Sequence, residues 1–151
     1  MIIKSLEHLK QIAKKIADNL SVRDCLFLVG EIGVGKTTFT RILINYLQKR
    51  EGVQPTEVLS PTFNLLYEYE IKNLKLMHYD LYRIKNISEL EQLGIFDEKI
   101  DSIKIIEWAE IIKSDVLDRL DLNFSYATKQ NERNLILKGN GKWKEFKIDE
   151  L

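Results

Sequence analysis

With a single cysteine, the chain cannot form an internal disulfide or a thiolate metal cluster of its own. That cysteine, Cys25, opens the apolar run Cys25-Leu26-Phe27-Leu28-Val29, where a small buried core residue is expected, and so few thiols fit a reducing compartment. Surplus charge is missing too. Lys plus Arg and Asp plus Glu both number 23, whereas a domain that grips nucleic acid unaided would carry a basic excess, so any nucleic acid is expected to be reached through a partner. No apolar run approaches membrane-spanning length, and Met1-Ile2-Ile3-Lys4-Ser5 has neither the apolar core nor the cleavage pattern of a secretory leader. A cytoplasmic location without membrane contact is the expectation. Repeats, linkers and low-complexity tracts are absent, which predicts a single domain over residues 1–151, large enough to bury around two-thirds of its unfolded surface.

The chain does contain Gly30-Glu31-Ile32-Gly33-Val34-Gly35-Lys36-Thr37-Thr38, placed after the apolar run and before a helical pattern. Strand, glycine-rich turn and helix in that order form a P-loop. Its glycines let successive N–H groups turn inward toward phosphate oxygens, the helix start favours an anion, Lys36 supplies charge to the terminal phosphates and Thr37 offers a hydroxyl to Mg²⁺. The bland alternative, a glycine-rich turn beside a surface lysine, does not account for that context.

Along the chain, Ile2-Ile3 predicts a short edge strand and Ser5 a helix cap. Leu6, Leu9, Ile12, Ala13, Ile16 and Leu20 recur at helical spacing. After the P-loop, Phe39, Ile42, Leu43, Tyr46 and Leu47 form the apolar side of a second helix, with Lys49 and Arg50 at its carboxyl end. Strand patterns begin near Val58-Leu59 and continue as Phe63 to Ile71 and Leu74 to Tyr79, a hairpin turning at Lys72-Asn73. Ser88-Glu89-Leu90-Glu91 has the form of a capping box, its helix stopping at Gly94. Ile103 to Ile106 is a buried-strand pattern, and Leu120 to Tyr126 alternates as a strand that Asn134 to Lys138 can pair with. Gly139-Asn140-Gly141 breaks the chain before Trp143 and Phe146, a segment whose type the pattern leaves open.

Mg²⁺ requires oxygen ligands, and two carboxylates follow apolar strand patterns whose ends should face the ligand crevice of an α/β sheet: Asp80 and Glu107. Taken singly, each could equally be a solvated strand end; beside a P-loop, each is a candidate. Trp108 suits packing as well as contact with a partner or adenine. His78 alternates with Leu74 and Leu76, as a structural rather than catalytic histidine does. Arg83 suits a salt bridge or partner contact at least as well as phosphoryl charge.

The P-loop, Ser60-Pro61-Thr62-Phe63, His78-Tyr79-Asp80-Leu81-Tyr82-Arg83, Leu93-Gly94-Ile95 and Ile106-Glu107-Trp108 together resemble the TsaE (YjeE) family of small bacterial ATPases over roughly residues 1 to 112. The resemblance implies an α/β P-loop NTPase fold with a mixed, mainly parallel central sheet, flanking helices and an antiparallel hairpin portion. It also implies a Mg²⁺-dependent ATPase needed for threonylcarbamoylation of adenosine 37 in tRNAs reading codons that begin with A, working with TsaD- and TsaB-like proteins. Residue by residue, Gly30 to Thr38 match the nucleotide-binding segment, Lys36 and Thr37 the phosphate and Mg²⁺ groups, Glu107 a metal-associated carboxylate and Asp80 an acid needed for hydrolysis. Lys36, Asp80 and Glu107 are thus the expected catalytic set. Ser60 and Thr62 match a segment that moves with nucleotide state, and Arg83 and Trp108 lie in motifs open to partner contact. Val34 stands where Ala is common and Ala109 where Pro is usual; neither carries charge to a phosphate. Two rival readings remain: another small P-loop kinase or NTPase, although no guanine-reading Asn-Lys-x-Asp or acceptor motif is present, or a nucleotide-gated interaction protein whose hydrolysis only resets a complex.

Overall fold

The computed structural model describes residues 1–97, 101–113 and 118–148. In chain order its elements are β1 (Ile2–Ile3), α1 (Leu6–Ala17), β2 (Cys25–Val29), α2 (Lys36–Arg50), β3 (Leu66–Ile71), β4 (Leu74–Asp80), α3 (Ile87–Gln92), β5 (Ile103–Glu107), β6 (Arg119–Tyr126) and β7 (Arg133–Asn140), with short 3-10 turns at Ala109–Ile111 and Gly141–Trp143. The strands form one sheet in the order β1-β7-β6-β2-β5-β4-β3. Its centre, β6-β2-β5-β4, is parallel; β3 and the β7–β1 pair run antiparallel at the two edges. This is the mixed α/β architecture expected of a P-loop fold.

The uninterrupted apolar run of β2 reflects a strand covered on both faces. Leu26 and Leu28 enter a core shared with Ile12 and Ile16 of α1 and Phe39, Leu43 and Leu47 of α2. Cys25 and Phe27 enter a second core with Met77, Tyr79, Ile106 and Leu90 of α3. The side chain of Ser5 accepts from the His8 amide at 3.1 Å, capping α1 as predicted. Leu6, counted with the apolar stripe, stays exposed at the first helical position, and the buried stripe begins at Leu9. α2 buries more than the predicted side: Thr40, Ile44 and Gln48 are enclosed with Phe39, Leu43 and Leu47, while Ile42 and Tyr46 are half-buried. The helix is wedged between the sheet and α1, so two sides of it meet protein, and the Tyr46 hydroxyl donates to Asp18 at 2.6 Å.

Three expectations need correction. Residues 53–60, including Val58-Leu59, carry no strand, and β3 starts at Leu66 rather than Phe63. The reason is local: the Leu65 amide bonds back to the Pro61 carbonyl at 2.6 Å, closing one tight turn, and Leu65 takes a positive φ of 65°. The cap of α3 is Asn86, two residues before Ser88; its Oδ1 accepts from the Glu89 amide, while Glu89 Oε2 accepts from the Lys85 amide. That is a variant of the capping box, two residues earlier in the chain, with the glutamate reaching the amide just before the cap. Finally, β7 runs through Gly139 and Asn140, and the turn begins at Gly141; Trp143 then folds back into the first core, edge-on to Phe146 with ring centroids 4.9 Å apart.

Candidate functional site

Parallel strands in register deliver their carboxyl ends to one edge of the sheet. Glu107 pairs with Leu28 on one side and Asp80 on the other, so the P-loop after β2 and both predicted carboxylates meet there. They border a cleft of about 270 Å³ lined also by Ser60, Thr62, Tyr82 and Trp108. Gly30 is required at its place because a Cβ would lie 2.5 Å from the Phe124 carbonyl oxygen on β6. Gly33 takes a φ of 75°, a conformation that glycine adopts without the cost other residues incur.

Lys36 opens α2, and its ammonium curls back over the loop, donating to the carbonyls of Gly30 at 2.5 Å and Glu31 at 2.9 Å. It also lies 4.0 Å from the centre of the Trp108 ring. Burial holds the Lys36 pKa below the ordinary lysine value, and the carboxylates of Glu107, Glu110 and Asp80 pull the other way. An incoming anion would offset that desolvation. The Thr37 hydroxyl donates to Glu107 Oε2 at 3.0 Å, and the other oxygen, Oε1, meets His78 Nε2 at 2.9 Å. Because a carboxylate only accepts, Nε2 carries the proton. Both His78 and Glu107 are buried. Among the described residues no group of three or more His, Cys, Asp or Glu could hold a metal. A hydroxyl and a carboxylate 3.0 Å apart nevertheless suit Mg²⁺, which keeps several waters and shares its remaining ligands with phosphates.

Both oxygens of Asp80 accept a hydrogen bond, and each keeps a lone pair for a further donor. Its Oδ2 accepts from the Thr62 hydroxyl and its Oδ1 from the Tyr82 amide, each at 2.9 Å, and Ser60 Oγ lies 2.8 Å from Thr62 Oγ1. The 60–63 segment is thereby tied to the strand-end acid. Arg83 does not line the cleft; its Nε donates to the Thr62 carbonyl and Nη2 to that of Phe63, and its guanidinium lies 5.3 Å over the exposed Phe63 ring. Trp108 packs against Tyr82, ring centroids 4.9 Å apart, and holds a left-handed backbone with φ 59°, rare for so bulky a residue and worth about 1–3 kcal/mol of strain.

The structure therefore brings Ile32, Gly33, Gly35, Lys36, Thr37, Thr38, Ser60, Thr62, Asp80, Glu107 and Trp108 to one cleft. Gly30 and Val34 face protein, Val34 being buried in the first core, and Glu31 is exposed, its carbonyl holding Lys36. Sequence reasoning missed His78 as the partner of Glu107, and Tyr82 as a wall. The available signal was spacing: His78 stands two residues before Asp80, on the same face of β4. It also missed Tyr126 and Arg133, which reach the P-loop from β6 and β7. Nothing in one sequence marks residues 94 and 99 positions away as its neighbours.

Residues 3–135 match the family model for threonylcarbamoyl adenosine biosynthesis protein TsaE. The match runs past the motifs, through β6 and into β7. A tRNA threonylcarbamoyladenosine biosynthesis protein TsaE of Rickettsia felis is 35% identical over 147 residues, covering 90% of this chain and 84% of its own. The Bacillus subtilis protein of the same name is 34% identical over 149 residues, covering 96% and 88%. A crystal structure of Bacillus subtilis YdiB superposes with a TM-score of 0.70 at 27% identity, over 96% of this chain and 87% of that one. With both the extent of the family match and the level of identity to these relatives, the chain belongs to the TsaE family, whose members take part in threonylcarbamoyladenosine biosynthesis.

Proposed function

We propose that this chain is a single-domain, cytoplasmic, Mg²⁺-dependent ATPase that serves threonylcarbamoylation of adenosine 37 in tRNAs reading codons that begin with A, together with TsaD- and TsaB-like partners that contact the tRNA. The observation that carries the reading is the Thr37–Glu107 hydrogen bond at the start of α2, in the cleft that Lys36 also lines. On this reading Gly30 to Thr38 hold the nucleotide phosphates, and Lys36 swings from the Gly30 and Glu31 carbonyls to the terminal phosphates. Thr37 and Glu107 hold Mg²⁺, which neutralises phosphate charge. Asp80 orients the attacking water, and Ser60 and Thr62, bonded to one another and to Asp80, register the terminal phosphate. Among the described residues no helix is long and apolar enough to cross a membrane.

Phosphoryl transfer rests on positioning and electrostatic stabilisation, and a supplied arginine contributes ~10³ to 10⁵ in rate in related P-loop systems. Arg83 is occupied with the Thr62 and Phe63 carbonyls, which supports slow hydrolysis by the isolated chain and acceleration by partners bound around Ser60 to Phe63, where Phe63 is 83% exposed. In calorimetry, Lys36→Ala should abolish tight ATP binding, Glu107→Ala should weaken the Mg²⁺-dependent part, and Asp80→Ala should lower turnover more than affinity. ATPase rate should rise with partner concentration. Wild-type affinity in Lys36→Ala, or fast turnover of the isolated chain unchanged by saturating partners, would sink the assignment.

A further inference from the structure

A loop that turns its N–H groups inward to hold phosphate must turn carbonyls outward, and those carbonyls need donors. Two are met from β6 and β7, on the side of β2 away from β5. The Tyr126 hydroxyl donates to the Ile32 carbonyl at 2.9 Å, and Arg133 Nε donates to the Val34 carbonyl at 3.2 Å, bracketing Gly33. Tyr126 and Arg133 are cross-strand partners at the end of the β6–β7 hairpin, so they share one face of the sheet. The guanidinium lies 4.6 Å from the centre of the phenol ring, and its Nη1 donates to the Gln130 and Glu132 carbonyls, each at 2.8 Å. Arg133 is therefore held by carbonyls of its own hairpin as well as by the loop, and it packs against the Tyr126 ring. A Cβ on Gly33 would stand 3.2 Å from the Tyr126 hydroxyl, so the phenol also limits where Gly33 can go.

We propose that Tyr126 and Arg133 are positioning residues that set the P-loop in its phosphate-binding shape. This rests on the reading of Gly30 to Thr38 as a phosphate cradle. It adds a part of the chain to which the motifs assign no role. Tyr126 is 45% exposed and Ile32 72%, so removing the hydroxyl empties no core volume and isolates the hydrogen bond.

The test uses the full chain, with Mg·ATP and Mg·ADP titrated calorimetrically into wild type, Tyr126→Phe and Arg133→Met, and amide exchange at residues 31–35 measured without nucleotide. Tyr126→Phe should bind both nucleotides about 5- to 10-fold more weakly, the loss expected for one hydrogen bond. Exchange should quicken in the loop alone, with the thermal midpoint unchanged, and the half-saturating ATP concentration should rise while the saturated rate holds. Should Arg133→Met fail to fold, Tyr126→Phe decides alone. Binding within about twofold of wild type in Tyr126→Phe would overturn the proposal, as would a loss accompanied by faster exchange throughout the molecule. A wild-type chain that binds neither nucleotide would instead overturn the phosphate reading itself, and this inference with it.

Discussion

His78 never reaches the cleft, yet it holds one oxygen of the carboxylate that does. With Oε1 committed to the imidazole, Glu107 presents Oε2 to Thr37 in a single orientation; on the proposed Mg²⁺ reading, this is how an outer partner tunes a metal-binding carboxylate. His78→Phe keeps the ring volume and removes the donor. It should weaken the Mg²⁺-dependent part of ATP affinity about 10-fold, leave binding without Mg²⁺ unmoved, and be partly rescued by His78→Gln. Paired titrations with and without Mg²⁺ separate these outcomes; equal losses in both would assign His78 to packing alone. Expecting a structural histidine was sound as far as burial goes. What alternation along β4 could not supply was the neighbour, because β5 lies 23 residues further on and only the register places Ile105 opposite His78.

At the scale of elements, legibility followed distance along the chain. The β2–loop–α2 unit is written in consecutive residues, each fixing the next through turn and helix geometry, and it appears where expected. The β3–β4 and β6–β7 hairpins were readable for the same reason, with Lys72 taking the positive φ of a tight turn. Pairings across the sheet were not: β6 sits beside β2, and the motif match alone, ending near residue 112, gave no reason to put it against the P-loop. The segment around Trp143 stayed open because Trp143 and Phe146 alone set no period. The structure shows why Gly139 is there. A Cβ at that position would fall 1.9 Å from the Trp143 carbonyl oxygen, so the turn can fold back onto β7 only over a bare backbone. Gly139→Ala should therefore cost about 3 kcal/mol, at the upper end for overpacking, read as a lower denaturant midpoint. A midpoint within error of wild type would refute the close approach.

The whole molecule is a sheet with two unlike interiors. The face toward α1 and α2 is largely aliphatic, whereas the face toward α3 encloses two groups that ionise in alkali, Cys25 and Tyr79. Burial pushes the thiol from 9.0 to about 11, with Lys104 pulling it down and Asp24 up; burial pushes the phenol from 10.0 to about 12, helped by Glu68 and Cys25. Between each pair of values the folded chain holds a proton that the unfolded chain has lost, so stability falls as pH rises; below pH 9 neither group contributes a slope. For Cys25 the loss between pH 9.0 and about 11 is about 2–3 kcal/mol. Denaturant unfolding at pH 8 and pH 10 should show about half of it, and Cys25→Ala should remove that part while leaving the smaller Tyr79 slope; an unchanged slope in that variant would assign the alkaline loss elsewhere. The position of β2 between β5 and β6 has one more consequence. A ribosome makes the loop sequence early and both flanking strands late. For most of its synthesis the chain displays the nucleotide signature without the walls that give it shape, and a transcript cut short before Tyr126 yields a product with the motif intact and its braces missing.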